Sequence, residues 1–155
     1  MSTQGRSPKK SEQLYDTDTA AWASLNAELL RQRRFAEVDV EHLIEELEDM
    51  GKSERRALES HLSVLLMHLL KWEHQPSMRS NSWRLSIENA CESIRDGLDD
   101  SPSLRPVLED PAFQGRAYSK ARRNAAIETG LDVARFPLEC PFDVRRILSG
   151  DLGLD

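Results

Sequence analysis

The chain has 155 residues, 31% of them charged and 6% aromatic, and a formal net charge of −6 at pH 7. That length allows one domain with a hydrophobic core needing no disulfide or metal staple. The acidic balance opposes bulk attraction to nucleic acid or to an anionic membrane. The two cysteines, Cys91 and Cys140, have no metal-ligand spacing and read as reduced thiols. The longest apolar run, residues 64–70, is broken by His68 and is too short to span a bilayer. No apolar block follows Arg6, Lys9 and Lys10, so residues 1–10 do not read as a signal peptide. The expectation is a cytoplasmic protein with no membrane partner.

Residues 1–13 are polar and read as a disordered tail, and 151–155 as a short C-terminal tail. Between them, 14–150 reads as a single all-α domain. Asp16 or Thr17 offers a cap for a first helix carrying Trp22, Leu25, Leu29 and Leu30 and ending basic, with Arg31, Arg33 and Arg34. Asp39 caps the next, which opens with Glu41, Glu45, Glu46, Glu48 and Asp49. A short connection makes antiparallel neighbours, so the basic end is expected beside this acidic start. Leu43, Leu47, Met50, Leu58, Leu62, Leu65, Leu69 and Trp72 share one helical face up to Pro76. The stripe keeps its phase across Gly51, which predicts one continuous or bent helix rather than two.

A third helix follows Ser80-Asn81-Ser82, with Trp83, Ile87, Ala90, Cys91, Ile94 and Leu98 on one face. Ser101-Pro102 predicts a capped short helix through Leu104, Val107 and Leu108. Asp110-Pro111 predicts another start, for a helix with Phe113, Ala117, Tyr118, Ala121, Ala125 and Ile127 that stops at Gly130. Phe136-Pro137 lies in a connector, and 141–148 makes a last short helix. No segment alternates with period two, so no sheet is expected. The fold class is all-α: a helical bundle of four main helices plus one or two short ones, around a long central helix or helix pair.

Several stretches carry a family resemblance. They are Tyr15-Asp16 with Asp18, the run Glu45-Glu46-Leu47-Glu48-Asp49-Met50-Gly51, Ser53-Glu54-Arg55-Arg56, and His68-Leu69-Leu70-Lys71-Trp72. Gln75-Pro76, Ser82-Trp83, Ser101-Pro102-Ser103-Leu104, Glu128-Thr129-Gly130-Leu131 and Cys140-Pro141 continue it. Together the chain resembles a bacterial family catalogued as domain of unknown function twenty-nine, over nearly all of residues 15–150. The resemblance implies an α-helical domain and brings no catalytic residues. The Asp110-Pro111 break departs from it, since relatives continue one helix there, and this bears on the helix count.

Three groups of residues are candidates for chemistry. Glu54, His61 and His68 interrupt the apolar stripe at seven-residue intervals, about 10.5 Å apart along a helix axis. No two of them can share a metal, and a site at any one of them needs other ligands, such as Asp18, Glu88 or Glu92 from other helices, or His74. Otherwise they are histidines bonded to their neighbours. Trp72, Trp83, Arg79 and Arg84 form an aromatic-basic group suited to a phosphate or a base, or to a packed helical corner. Arg116, Lys120 and Arg123 form a basic stripe that suits phosphates or the acidic turns of the second helix. No nucleophile motif or glycine-rich phosphate loop appears.

The leading reading is a protein-interaction or regulatory module without catalytic activity or cofactor, binding another protein or itself through an apolar helical face. The alternatives are a metal-dependent bundle enzyme using His61 or His68 with carboxylates, and a nucleic-acid binder acting through the Arg/Trp patches.

Overall fold

The computed structural model describes residues 7–155, and among them every regular element is helical. The helices are α1 (Lys10–Gln13), α2 (Thr19–Arg31), α3 (Val40–His74), α4 (Asn81–Asp100), α5 (Arg105–Glu109), α6 (Pro111–Thr129) and α7 (Val144–Leu148). The all-α expectation holds, with α2, α3, α4 and α6 as the four long helices. Where the sequence suggested one domain over 14–150, the chain groups into two compact units, Met1–Lys52 and Ser53–Asp155. The division falls inside α3.

Local chemistry explains most of the helix starts. The carboxylate of Asp18, rather than Asp16 or Thr17, caps α2 by accepting the N–H of Ala21 at 2.9 Å. Ser80 Oγ accepts the Trp83 N–H at the start of α4, and Asp110 accepts the Ala112 N–H at the start of α6. Gly130 closes α6 with φ of 70°, a left-handed turn open to glycine at no steric cost. Ser101, expected as a cap, makes no side-chain cap bond; a 3₁₀ turn over Pro102–Leu104 leads into α5 instead. The Asp110-Pro111 break is real, because proline has no N–H to continue α5 and suits the first turn of α6. Helix α3 passes through Gly51 without interruption. A Cβ built there would meet nothing within 4 Å, so no close helix crossing requires that glycine.

In the first unit the expected tail is too long. The first six residues of that tail lie outside the described residues, but Lys10–Gln13 is helical and Ser11 is buried. Ser11 Oγ donates to the Glu37 carbonyl at 2.6 Å, and Lys9 Nζ to the Val38 carbonyl at 2.8 Å. These two bonds fasten α1 to the chain entering α3. The unit's interior is small and partly polar: Trp22, Leu29 and Val38 with Asn26 and Asp39.

The second unit holds the main core. Leu58, Leu62, Leu65, Leu66, Leu69 and Leu70 of α3 pack with Ile87, Cys91 and Ile94 of α4 and with Phe113, Ala117 and Ala121 of α6. Of the apolar residues expected along α6, Ile127 is the one left mostly exposed. Phe136 and Ile147 close it from the C-terminal segments. Leu152 and Leu154, in the stretch expected as a tail, pack against this core and are half-buried.

Candidate functional site

The most organised polar group in the chain lies in the first unit, where α2 meets the start of α3. Asp39 is almost fully buried. Its Oδ2 accepts the Trp22 indole N–H at 2.8 Å and the His42 Nδ1 at 2.6 Å. Its Oδ1 takes the His42 backbone N–H at 3.4 Å, so Asp39 does stand where a helix cap is expected. The Asp39 backbone N–H donates to Asn26 Oδ1 at 2.9 Å, and Asn26 Nδ2 donates to the Trp22 carbonyl at 2.9 Å. Tyr15 stacks on the His42 ring, with centroids 3.9 Å apart, and its hydroxyl donates to Glu46 at 2.7 Å.

The electrostatics follow from these partners. Burial pushes the Asp39 carboxyl up, but donation from Trp22 and from the ring and backbone of His42 outweighs it and leaves the pKa below the ordinary value. The bond to Asp39 raises His42, against the effect of its own burial, and the charges of Glu45 and Asp16 add to the rise. An ionised carboxylate only accepts, so His42 Nδ1 carries a proton. Tyr15 is pushed up to about 12, chiefly by its bond to Glu46, with burial and the nearby acids adding. A buried carboxylate orienting an imidazole is the arrangement a general base uses. Among the described residues, no serine, threonine or cysteine is hydrogen-bonded to Nε2 of His42. The group acts as a titratable clamp between α2 and α3.

Past this clamp, α3 carries an apolar ridge in the open. Val40 and Ile44 are about half exposed, at 51% and 50%, and Leu47 and Met50 reach 64% and 63%. With half-buried Leu43 they project within an arc of about 120° at 100° per residue. Such a width ordinarily faces a core. Glu41 and Glu48 border one edge of the arc and Glu46 the other, all exposed. The basic end of α2 does not neutralise them. Arg31 pairs with Glu28, and Arg34 with Glu37 at 2.5 Å, both three residues away. In the acidic turns only Asp49 has an ion pair among the described residues, with Lys52 at 3.7 Å.

Apart from Asp18, which caps α2 in the first unit, the residues singled out from the sequence lie in the second unit, and they do not converge. Glu54 and His61 are exposed on α3. His68 is half-buried, with Nδ1 2.9 Å from the Val64 carbonyl one turn back. Among the described residues no three His, Cys, Asp or Glu side chains gather as a metal would need. Arg79 donates through Nε to the Trp72 carbonyl at 2.9 Å, with its guanidinium 5.0 Å from the centre of the Trp72 ring. Lys71 is buried, bonded to Glu128 at 2.5 Å and 4.6 Å from the centre of the Trp83 ring. Arg116 meets Glu59 at 3.7 Å, whereas Lys120 and Arg123 are exposed.

Sequence reasoning passed over His42, Asn26 and the Trp22–Asp39 bond. The available signal was Asp39-x-x-His42, which places an N-cap carboxylate and a ring on one side of the first turn. Nothing local marks Trp22, 17 residues away, as the third member.

No helix of the described residues is long and apolar enough to cross a membrane. No curated protein and no solved structure matches the chain. A family model, "Domain of unknown function DUF29", matches residues 14–152. That span takes in the clamp, the acid-edged ridge and the core of the second unit, and the chain belongs to this family.

Proposed function

We propose that this protein is a non-catalytic interaction module of the cytoplasm, whose α3 ridge docks an amphipathic helix of a partner protein with basic edges. The observation that carries this is the exposed run Val40, Ile44, Leu47 and Met50 on one face of a continuous helix. An apolar face of this width binds helices by i, i+3, i+4, i+7 anchors. The charge at its edges selects the partner. Two copies of the ridge, in either orientation, set acidic edge against acidic edge, whereas Lys or Arg at a partner's edges meets Glu41, Glu46 and Glu48. The net charge of −6 weighs against nucleic acid in the same role. Both cysteines are free, as suits a reducing compartment.

The test is calorimetric titration with two synthetic amphipathic helices that share an apolar face but carry lysine or glutamate edges. The lysine peptide is expected to bind, more weakly as salt rises, and to lose binding to Leu47→Asp. Equal binding of both peptides, or no effect of Leu47→Asp, would remove the proposal. A reversible dimer in sedimentation equilibrium that Leu47→Asp dissociates would assign the ridge to a second copy instead.

A further inference from the structure

The second unit contains an open cleft of about 610 Å³ between the end of α4, α5 and α7. That volume lies within the range of small-molecule sites. Leu98, Leu108 and Val144 are buried beneath it, and Phe142 and Leu148 are half-buried along it. Such a lining favours an apolar body.

The rim carries three carboxylates and three guanidiniums, and their pairing decides what else is needed. Asp99 takes Arg105 at 3.1 Å, and Glu109 takes Arg145 at 2.6 Å. Asp143 caps α7 by accepting the Arg146 N–H at 3.1 Å. Arg95 has no carboxylate within ion-pair distance among the described residues. It is nevertheless held in place, because its Nε donates to the Leu148 carbonyl at 2.9 Å at the end of α7. That bond leaves the two terminal nitrogens without a protein acceptor among the described residues. A tethered guanidinium at the mouth of an apolar cleft suits a carboxylate, which takes two parallel N–H bonds from such a fork.

We propose that this cleft binds a small organic monoanion, an apolar body bearing one carboxylate, with Arg95 as its anchor. The single charge follows from the rim. Asp99 and Glu109 are already paired with arginines, so Arg95 is the one rim guanidinium without an ion pair among the described residues. Asp143, whose Oδ1 accepts the cap bond of α7, keeps its negative charge and opposes a second anionic group. The proposal rests on no part of the docking surface on α3.

The experiment is an NMR titration of the methyl-labelled 155-residue chain with octanoate, and with octanamide as its uncharged counterpart. Octanoate is expected to shift the methyls of Leu98, Leu108 and Val144. It should bind about tenfold or more tightly than octanamide, the margin of one charge-assisted pair. Arg95→Gln should bring the two affinities together. Equal affinity for the wild-type chain, or octanoate shifts confined to Val40, Ile44 and Leu47, would overturn the proposal. So would an octanoate preference that survives Arg95→Gln. Should that variant fail to fold, the two ligands on the wild-type chain still decide.

Discussion

Leu47 and Leu62 lie on the same helix and in the same apolar stripe, yet truncating them should have very different costs. Leu62 is 0% exposed within the second unit's core, and Leu47 is 64% exposed. Leu62→Ala removes buried methyl groups and leaves a cavity, a change that costs about 2–5 kcal/mol. For Leu47 only about a third of the side chain is out of water. Full burial of a leucine contributes about 1.5–3 kcal/mol, so at most about 1 kcal/mol is at stake. The higher helix propensity of alanine offsets part of that. The measurement is urea unfolding of both variants and the wild type, followed by far-UV circular dichroism under conditions where the protein is monomeric. A near-neutral Leu47→Ala beside a strongly destabilised Leu62→Ala is expected. A Leu47→Ala loss above about 2 kcal/mol would mean that the ridge is covered in the free chain, refuting both its exposure and the docking role built on it.

Other outcomes follow from single contacts. Gly51→Ala, in open space within α3, should stabilise by about 1 kcal/mol and raise the melting temperature by about 2–4 °C; a loss would mean that the glycine is needed. The His42 ring, followed by proton NMR, should titrate above the usual value of about 6.5, and Asp39→Asn should abolish that rise; a midpoint at or below the usual value would contradict the clamp. The clamp also gives stability a pH window. The raised His42 contributes fully below its unfolded pKa and loses that contribution as pH climbs through its folded value. The lowered Asp39 contributes fully above its unfolded pKa and loses it as pH falls through its folded value. The first unit should therefore resist local opening best between roughly pH 4 and 6.5, checked by hydrogen exchange at α2 amides across pH. Glu128→Gln, which leaves buried Lys71 without its carboxylate, should cost about 1–2 kcal/mol in thermal unfolding, less than a fully buried pair because Glu128 is half exposed; a neutral result would show that Lys71 finds water instead. Elemental analysis of protein purified without chelator should find no stoichiometric metal, and bound metal lost on His68→Ala would revive the enzyme reading.

Much of the fold was legible because its signals are local. The cap at Asp110, the stop at Gly130 and the 3.6-residue stripes of α4 and α6 each depend on a few neighbouring residues. The misjudged features depend on partners far along the chain. Residues 10–13 lack an apolar pattern, and their order comes from bonds to the carbonyls of Glu37 and Val38. The expected pairing of the arginines ending α2 with the acids of α3 did not form, because Glu28 and Glu37 lie closer to them in sequence. In the site, His61 and His68 drew notice through their spacing, while the organised imidazole is His42, joined to Asp39 and stacked on Tyr15.

By itself, then, the sequence determined that this is an all-α chain of the DUF29 family, built around a long central helix or helix pair and with no helix fit to cross a membrane; that α3 runs unbroken over 35 residues came from the structure. Periodicity carries that much, because a helix's hydrogen bonds and side-chain faces are set within a few residues. Only the tertiary structure decided which parts of the helix's apolar face are covered. Leu58, Leu62, Leu65, Leu69 and Trp72 are buried by α4, α6 and the C-terminal segments, whereas Leu47 and Met50, in phase with them, are left in water. The same holds for the clamp and the cleft. Burial and pairing depend on which distant segments arrive, and no local pattern encodes the absence of a neighbour.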